Sequence, residues 1–380
     1  MKTQLALAIC VAFVLIGCQS RDAKNKESGS VMARQFGRLS DGREVTLYTL
    51  RNKNKATVTL TNLGAALVSI NVPDRNGVPG DVLLGHDDVQ GYVDDDAFLG
   101  FLVGRFGNRI GKGQFTLNGK RYQLDINDGE NHLHGGKGGF HRKLWEAQIN
   151  EHAAAASVTM RGVSVDGEQG YPGNVTLDVT YTWNDSNQLI IDYSGTTDAP
   201  TILNPTSHGY FNLTGNPNNT ILDHELMIAA GEYTPIDPGL ITTGERHTVE
   251  GTPLDFRTPR RIVDRINEPF EQLQFGKGYD HNWVLNAYDK SMRLAATVFD
   301  PQSGRFMKVL TDQSGLQFYS GNFLDGSNIG KGGIGYQYRT GLCLEAQHFP
   351  DSPNKPQFPS VTLLPNERYK QTTIYQFSTK

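Results

Sequence analysis

Apolar and polar positions alternate with the strand period along most of this chain. The clearest case is NVTLDVTYTW, residues 174–183, where Val175, Leu177, Val179, Tyr181 and Trp183 share one face and Thr176, Asp178, Thr180 and Thr182 the other. The first face is expected to pack on a second sheet. QFTLNGKRYQL, residues 114–124, sets Asn118-Gly119 between two alternating runs. Both residues tolerate the positive φ of a type I′ turn, so a two-residue hairpin is predicted. Further strands are expected over residues 45–50, 65–72, 189–193, 294–299 and 316–319. Helical spacing is confined to short pieces such as RRIVDRINEPFEQL, residues 260–273, where Ile262, Val263, Ile266 and Phe270 can line one face. Many strands and few helices predict an all-β sandwich or barrel, whose broad concave face can gather polar side chains from distant strands.

The N-terminus breaks this pattern. MKTQLALAICVAFVLIGCQS carries Lys2 and then an apolar run from Leu5 to Ile16 that is short for a membrane span and is expected to be an export signal. Its LIGC ending, residues 15–18, resembles the bacterial lipoprotein box. That implies a signal peptide over residues 1–17, cleavage before Cys18 and acylation of that cysteine. The polar, Ser/Lys-rich residues 18–35 are expected to be a flexible tether, followed by one domain over residues 36–380. On this reading the protein is an exported lipoprotein of the cell envelope that touches the membrane only through its lipid.

Composition removes several function classes. Cys10 lies in the signal and Cys18 is expected to be lipidated, which leaves Cys343 alone in the folded body and no internal disulfide. A formal net charge of −4 without a basic block speaks against nucleic acid as a partner. CxxC, HExxH, P-loop and GxSxG motifs are all absent from the sequence, so zincin, nucleotide-binding and α/β-hydrolase readings have nothing to stand on.

Five polar stretches interrupt the strand pattern: GRFGNRIGKG (104–113), NHLHGGKGGFHRKLW (131–145), NPTSHGYFNLTG (204–215), YDHNWVL (279–285) and GLCLEAQHFPDSPN (341–354). Each alone has an ordinary explanation: Arg105 and Arg109 as surface charges, His208 as a hydrogen-bonded core histidine, Asp280 as a loop cap. In the last stretch Leu342, Leu344 and Ala346 face one way, and Cys343, Glu345 and Gln347 the other. Glu345 therefore stands either on a solvated edge, the usual place of a strand Glu, or on the floor of a polar cleft. His132 and His134 alternate onto one face and, with His141, raise a metal hypothesis, but no acidic ligand stands at a telling spacing.

Together these stretches resemble one family, the aldose 1-epimerases or galactose mutarotases. The resemblance runs from about Phe36 to near the C-terminus, and rests most specifically on GRFGNRI, NHLHGG, SHGYFNL, YDHNWVL, QFYSGNFLDG and LEAQHFPDSPN, in the family's order. It implies a large antiparallel β-sandwich of the galactose mutarotase-like supersandwich type, with a few short helices and an open sugar cleft. It also implies interconversion of the α and β anomers of a free monosaccharide, an aldohexose such as galactose or glucose, with no metal or organic cofactor. By motif, His208 would be the general acid and Glu345 the general base, while Asn108, Arg109, His134, Tyr210, Asp280 and Gln317 would hold sugar hydroxyls. Such chemistry needs one base at the C1 hydroxyl and one acid at the ring oxygen. A glycoside hydrolase would use two carboxylates instead, a non-catalytic sugar-binding lipoprotein would not need His208 with Glu345, and a phosphosugar enzyme would need a phosphate pocket beyond Arg109.

Overall fold

The computed structural model describes residues 29–150 and 155–380. The expected signal peptide and the expected lipidation of Cys18 both fall outside the described residues. Three large antiparallel sheets form the described structure. A nine-stranded sheet runs in the order Glu146–Ile149, Ala156–Ser164, Val175–Trp183, Gln188–Thr197, Tyr369–Thr379, Arg305–Thr311, Arg293–Phe299, Glu225–Ile228 and Arg260–Arg261. The last strand of the chain thus sits at its centre, joining an N-terminal group of strands to a C-terminal one. A six-stranded sheet is ordered Tyr210–Phe211, Leu342–Gln347, Gly315–Tyr319, Asp280–Leu285, Ala230–Thr234 and His247–Thr248. A five-stranded meander runs from Ser30–Arg38 to Pro79–Asp81.

Alternation explains how these sheets pack. Val175, Leu177, Val179, Tyr181 and Trp183 are fully buried, and the threonines and aspartate between them are half-exposed. The same core cluster takes in Val58, Leu60 and Ile70 of the meander, and Trp283, Leu316, Phe318, Leu342 and Leu344 of the six-stranded sheet. The fold is therefore a β-sandwich in which the nine-stranded sheet covers the inner faces of both others. The predicted hairpin forms between Gln114–Leu117 and Lys120–Gln123, with φ of 51° at Asn118 and 77° at Gly119.

Two expectations are corrected. Residues 30–35, read as tether, belong to the strand Ser30–Arg38, which pairs with Glu44–Arg51. Their own alternation is weak, and it is the partner strand that supplies their backbone hydrogen bonds. The helical face over residues 260–273 is also broken. Arg260–Arg261 is a short strand, Ile262–Asp264 a single 3₁₀ turn, and an α-helix begins only at Glu271, beyond Pro269. Proline disfavours helical backbone in the residue before it, so the apolar spacing here buries Ile262 and Ile266 without a continuous helix.

Arg105 is a buried strut, in contrast to the surface charge it suggests when read alone. It is 2% exposed. Its guanidinium donates to Ser164 Oγ (2.8 Å), Thr201 Oγ1 (3.2 Å) and the carbonyls of Pro172, Ser164 and Val165 (2.8, 2.8 and 2.9 Å). Burial pushes its pKa down to about 10, so it stays charged at neutral pH. These bonds tie the segment after Gly104 to the nine-stranded sheet. Arg105→Met leaves the acceptors unpaired and is expected to cost roughly 3 kcal/mol. Urea denaturation checks this, and an unchanged midpoint would refute it.

Candidate active site

The outer face of the six-stranded sheet carries the polar side chains. Register aligns Asn282 with Gln317 and Gln317 with Glu345 across three neighbouring strands. Glu345 is 2% exposed, and its whole strand is buried on both faces. Of the two places open to it, it takes the cleft floor. Past Cys343, where the pairing with Tyr210–Phe211 ends, side chains satisfy that edge of the strand: Tyr375 Oη donates to the Leu344 carbonyl (2.8 Å), and Thr206 Oγ1 (2.9 Å) and Gln371 Nε2 (3.1 Å) to that of Ala346.

His208 lies between two short pairings, Thr206–Ser207 with Leu102–Val103 and Tyr210–Phe211 with Leu342 and Cys343. Its amide donates to the Phe101 carbonyl (2.8 Å), and its carbonyl accepts from the Gly100 amide (3.0 Å). The backbone so fixed sets Nε2 of the ring 3.7 Å from Glu345 Oε1, with Nδ1 3.6 Å from Cys343 Sγ.

A second group comes from the pairing of Arg109–Ile110 with His132–Leu133. Asn108 has left-handed backbone (φ 69°), and its amide donates to His134 Nδ1 at 3.1 Å. Arg109 donates to Asp128 Oδ2 (2.7 Å) and stands 3.9 Å from Asp280 Oδ2. Asp280 Oδ1 accepts from Gln317 Nε2 (2.7 Å). His208, Glu345, Asn108, Arg109, His134, Tyr210 and Asp280 all line one cleft of about 440 Å³. Gln317 does not line it and reaches it only through Asp280. The cleft walls also include Phe98, Tyr319 and Asp128. Tyr319 lies in a quoted motif, whereas nothing in the local pattern marks Phe98, which enters through the chain's return past His208.

Electrostatics here follow from burial. Desolvation pushes His208 down to about 4 and Glu345 well above the usual carboxylate range. The neighbouring Asp280 adds to the rise at Glu345, and Arg109 opposes it. Asp280 is itself raised by burial, with Arg109 again opposing. The sequence-based roles place an imidazolium beside a carboxylate, but burial favours the neutral imidazole and the carboxylic acid. Both arrangements hold one proton between two groups, so they are tautomers of one pair.

His134, His208 and Glu345 each bring one nitrogen or oxygen within 4.8 Å of the others, a spacing a metal could bridge. The hydrogen bonding of His134 opposes that use. Its Nδ1 accepts the Asn108 amide, so the neutral ring carries its proton on Nε2 and offers a donor where a metal needs a lone pair. Nor do His132, His134 and His141 form a set. His132 is bound between the Asp125 carbonyl and Tyr171 Oη, both at 2.6 Å, away from the cleft.

Comparison with known proteins shows the family of the chain. The family model for aldose 1-epimerase matches residues 46–376. A galactose mutarotase from Bos taurus is 41% identical over 349 residues, covering 92% of this chain and 99% of the relative. An aldose 1-epimerase from Escherichia coli (strain K12) is 38% identical, covering 89% and 96%. Among solved structures, a galactose 1-epimerase from Lactobacillus acidophilus superposes with a TM-score of 0.82 at 28% identity, and an aldose epimerase homologue from C. elegans with 0.80 at 31%, each covering 93% of this chain and 99% of its own. By family model, sequence relatives and fold alike, the chain belongs to the aldose 1-epimerase family.

Proposed function

We propose that this enzyme interconverts the α and β anomers of free aldohexoses such as galactose and glucose. The observation that carries the reading is the His208–Glu345 pair, 3.7 Å apart on the floor of a cleft whose other polar groups are pinned by Asp128, Gln317 and the Asn108 backbone. One member of the pair takes the proton from the C1 hydroxyl while the other gives a proton to the ring oxygen. The bond from C1 to that oxygen breaks, and C1 becomes an aldehyde. Rotation about the C1–C2 bond presents the other carbonyl face, and the reverse transfers close the ring and restore both groups. Either tautomer of the pair can start the cycle. In the proposed cleft His134 Nε2–H donates to a sugar oxygen, and Arg109, Asn108, Tyr210 and Asp280 hold hydroxyls remote from C1. Gln317 acts by fixing Asp280. Orientation of this kind is most of what ring opening requires.

We further propose export and anchoring through Cys18, supported by the apolar run after Lys2 and the LIGC ending. Cys18→Ser is expected to move the protein from the membrane to the soluble fraction without changing activity per folded molecule. Retention in the membrane fraction would refute the anchor.

Activity requires the pair to hold one proton. It should fall as pH drops through the lowered His208 value, near 4, where both groups are protonated, and again as pH rises through the raised Glu345 value, where both are bare. Polarimetry on fresh α-D-galactose should give a bell-shaped profile of kcat/KM against pH. Glu345→Gln should lose roughly 10²–10⁴-fold in activity together with the alkaline limb, and His208→Asn a similar amount with the acid limb. A normally active Glu345→Gln protein would sink the mechanism.

Methyl α-D-galactoside separates this reaction from glycoside hydrolysis, because its C1 oxygen carries no proton to remove. Its optical rotation should stay constant in the presence of the enzyme, with no free galactose formed. Galactose released as fast as free galactose mutarotates would show that Glu345 serves another reaction.

A further inference from the structure

Residues outside the proton-transfer pair join the two walls of the cleft. His86 is 4% exposed, with Nε2 2.8 Å from Asp95 Oδ2 and Nδ1 2.9 Å from the Ile329 carbonyl. The short helix Val89–Asp94 closes over the ring. A Cβ at Gly91 would stand 2.6 Å from His86 Cβ, so only glycine fits there.

Each arm of His86 ends at a wall. On one side Asp95, itself buried, accepts through Oδ1 the amides of Phe98 (2.6 Å) and Leu99 (3.3 Å). Phe98 has left-handed backbone (φ 61°), unfavourable for a bulky side chain unless the surroundings hold it. In that conformation its ring packs 4.7 Å from the His134 ring and 5.9 Å from that of His208, centroid to centroid. On the other side the carbonyl of Ile329 belongs to the glycine-rich loop whose Asp325, Ser327 and Asn328 line the cleft. Tyr336 Oη and the Lys331 amide fasten the same loop to Gly85, beside His86.

We propose that His86 and Asp95 are positioning residues for the reaction. The Asp95 arm holds Phe98 against His208 and His134, and the Ile329 arm sets the facing loop over bound sugar. This inference rests on the mutarotase reading of the preceding section. The two arms have separate consequences: the first acts on groups that move protons, and the second on a wall that meets only the bound ligand.

Two substitutions divide the arms, because the amide nitrogen of Asn stands near His Nδ1 and that of Gln near His Nε2. His86→Asn keeps a donor toward Ile329 and loses Asp95. Its kcat on α-D-galactose should fall roughly 10–100-fold with KM nearly unchanged, the scale expected for a misplaced reacting group. His86→Gln keeps Asp95 and loses Ile329, so its KM should rise severalfold with kcat nearly unchanged. Asp95→Asn removes the carboxylate facing His86 while leaving Oδ1 on the Phe98 amide; it should repeat the kcat loss of His86→Asn, which covers the case in which that variant does not fold. All values are scaled to folded protein, so a lowered melting temperature alone does not count in favour. Equal losses of kcat and KM in the Asn and Gln variants, or no change in either parameter, would overturn the proposal. A wild type that does not mutarotate galactose or glucose would overturn the preceding reading itself and the proposal with it.

Discussion

The site depends on keeping two ionisable groups out of water without giving either a full counter-charge. Among the described residues Glu345 has no salt bridge at hydrogen-bonding distance, and its nearest basic group is His208, at 3.7 Å. Burial of an unpaired charge is costly enough that buried groups shift their pKa and neutralise. A neutral acid and a neutral base in contact store one proton that can be passed either way. That suits a reaction whose reverse step uses the same groups with roles exchanged. A close Arg–Glu pair would have held Glu345 as a permanent carboxylate and removed this symmetry.

The scaffold meets that condition by covering a sheet on both faces. The inner face of the six-stranded sheet is closed by the nine-stranded sheet, and the outer face by the segments bearing Phe98, Asn108, His134 and His208. The cation nearest this pair is tied up in the cleft wall. Arg109 is shared between Asp128 and Asp280, so its field reaches Glu345 at a distance and only moderates the rise caused by burial. Arg105, four residues earlier, never meets the cleft. One short motif thus contains a structural cation and a cleft cation, and which is which follows from where the intervening turn points each side chain.

Hydrogen-bond direction decides what the histidines can do. The Asn108 amide fixes His134 as a donor through Nε2, and His132 is held between a carbonyl and a tyrosine hydroxyl. His132 and His134 therefore serve different ends, although their spacing makes them look like one set.

Much of this was legible in the sequence because strand period and turn chemistry are local. The alternation of residues 175–183, the Asn118-Gly119 hairpin and the placement of Glu345 opposite Leu344 follow from side-chain direction along a single strand. The motifs also named seven of the side chains that meet in the cleft, with Gln317 one layer behind, and missed Asp128, Ser327 and Asn328. Local pattern was silent wherever a distant segment supplies the missing half of an interaction. It could not show that residues 30–35 gain a strand partner, that Arg260 and Arg261 pair with Leu226 and Glu225 instead of opening a helix, or that Phe98 covers the cleft. Nor could it set the protonation of His208 and Glu345, since a pKa depends on what excludes water from both sides of the sheet. That enclosure is made by chain segments more than a hundred residues apart, and only the tertiary structure brings them together.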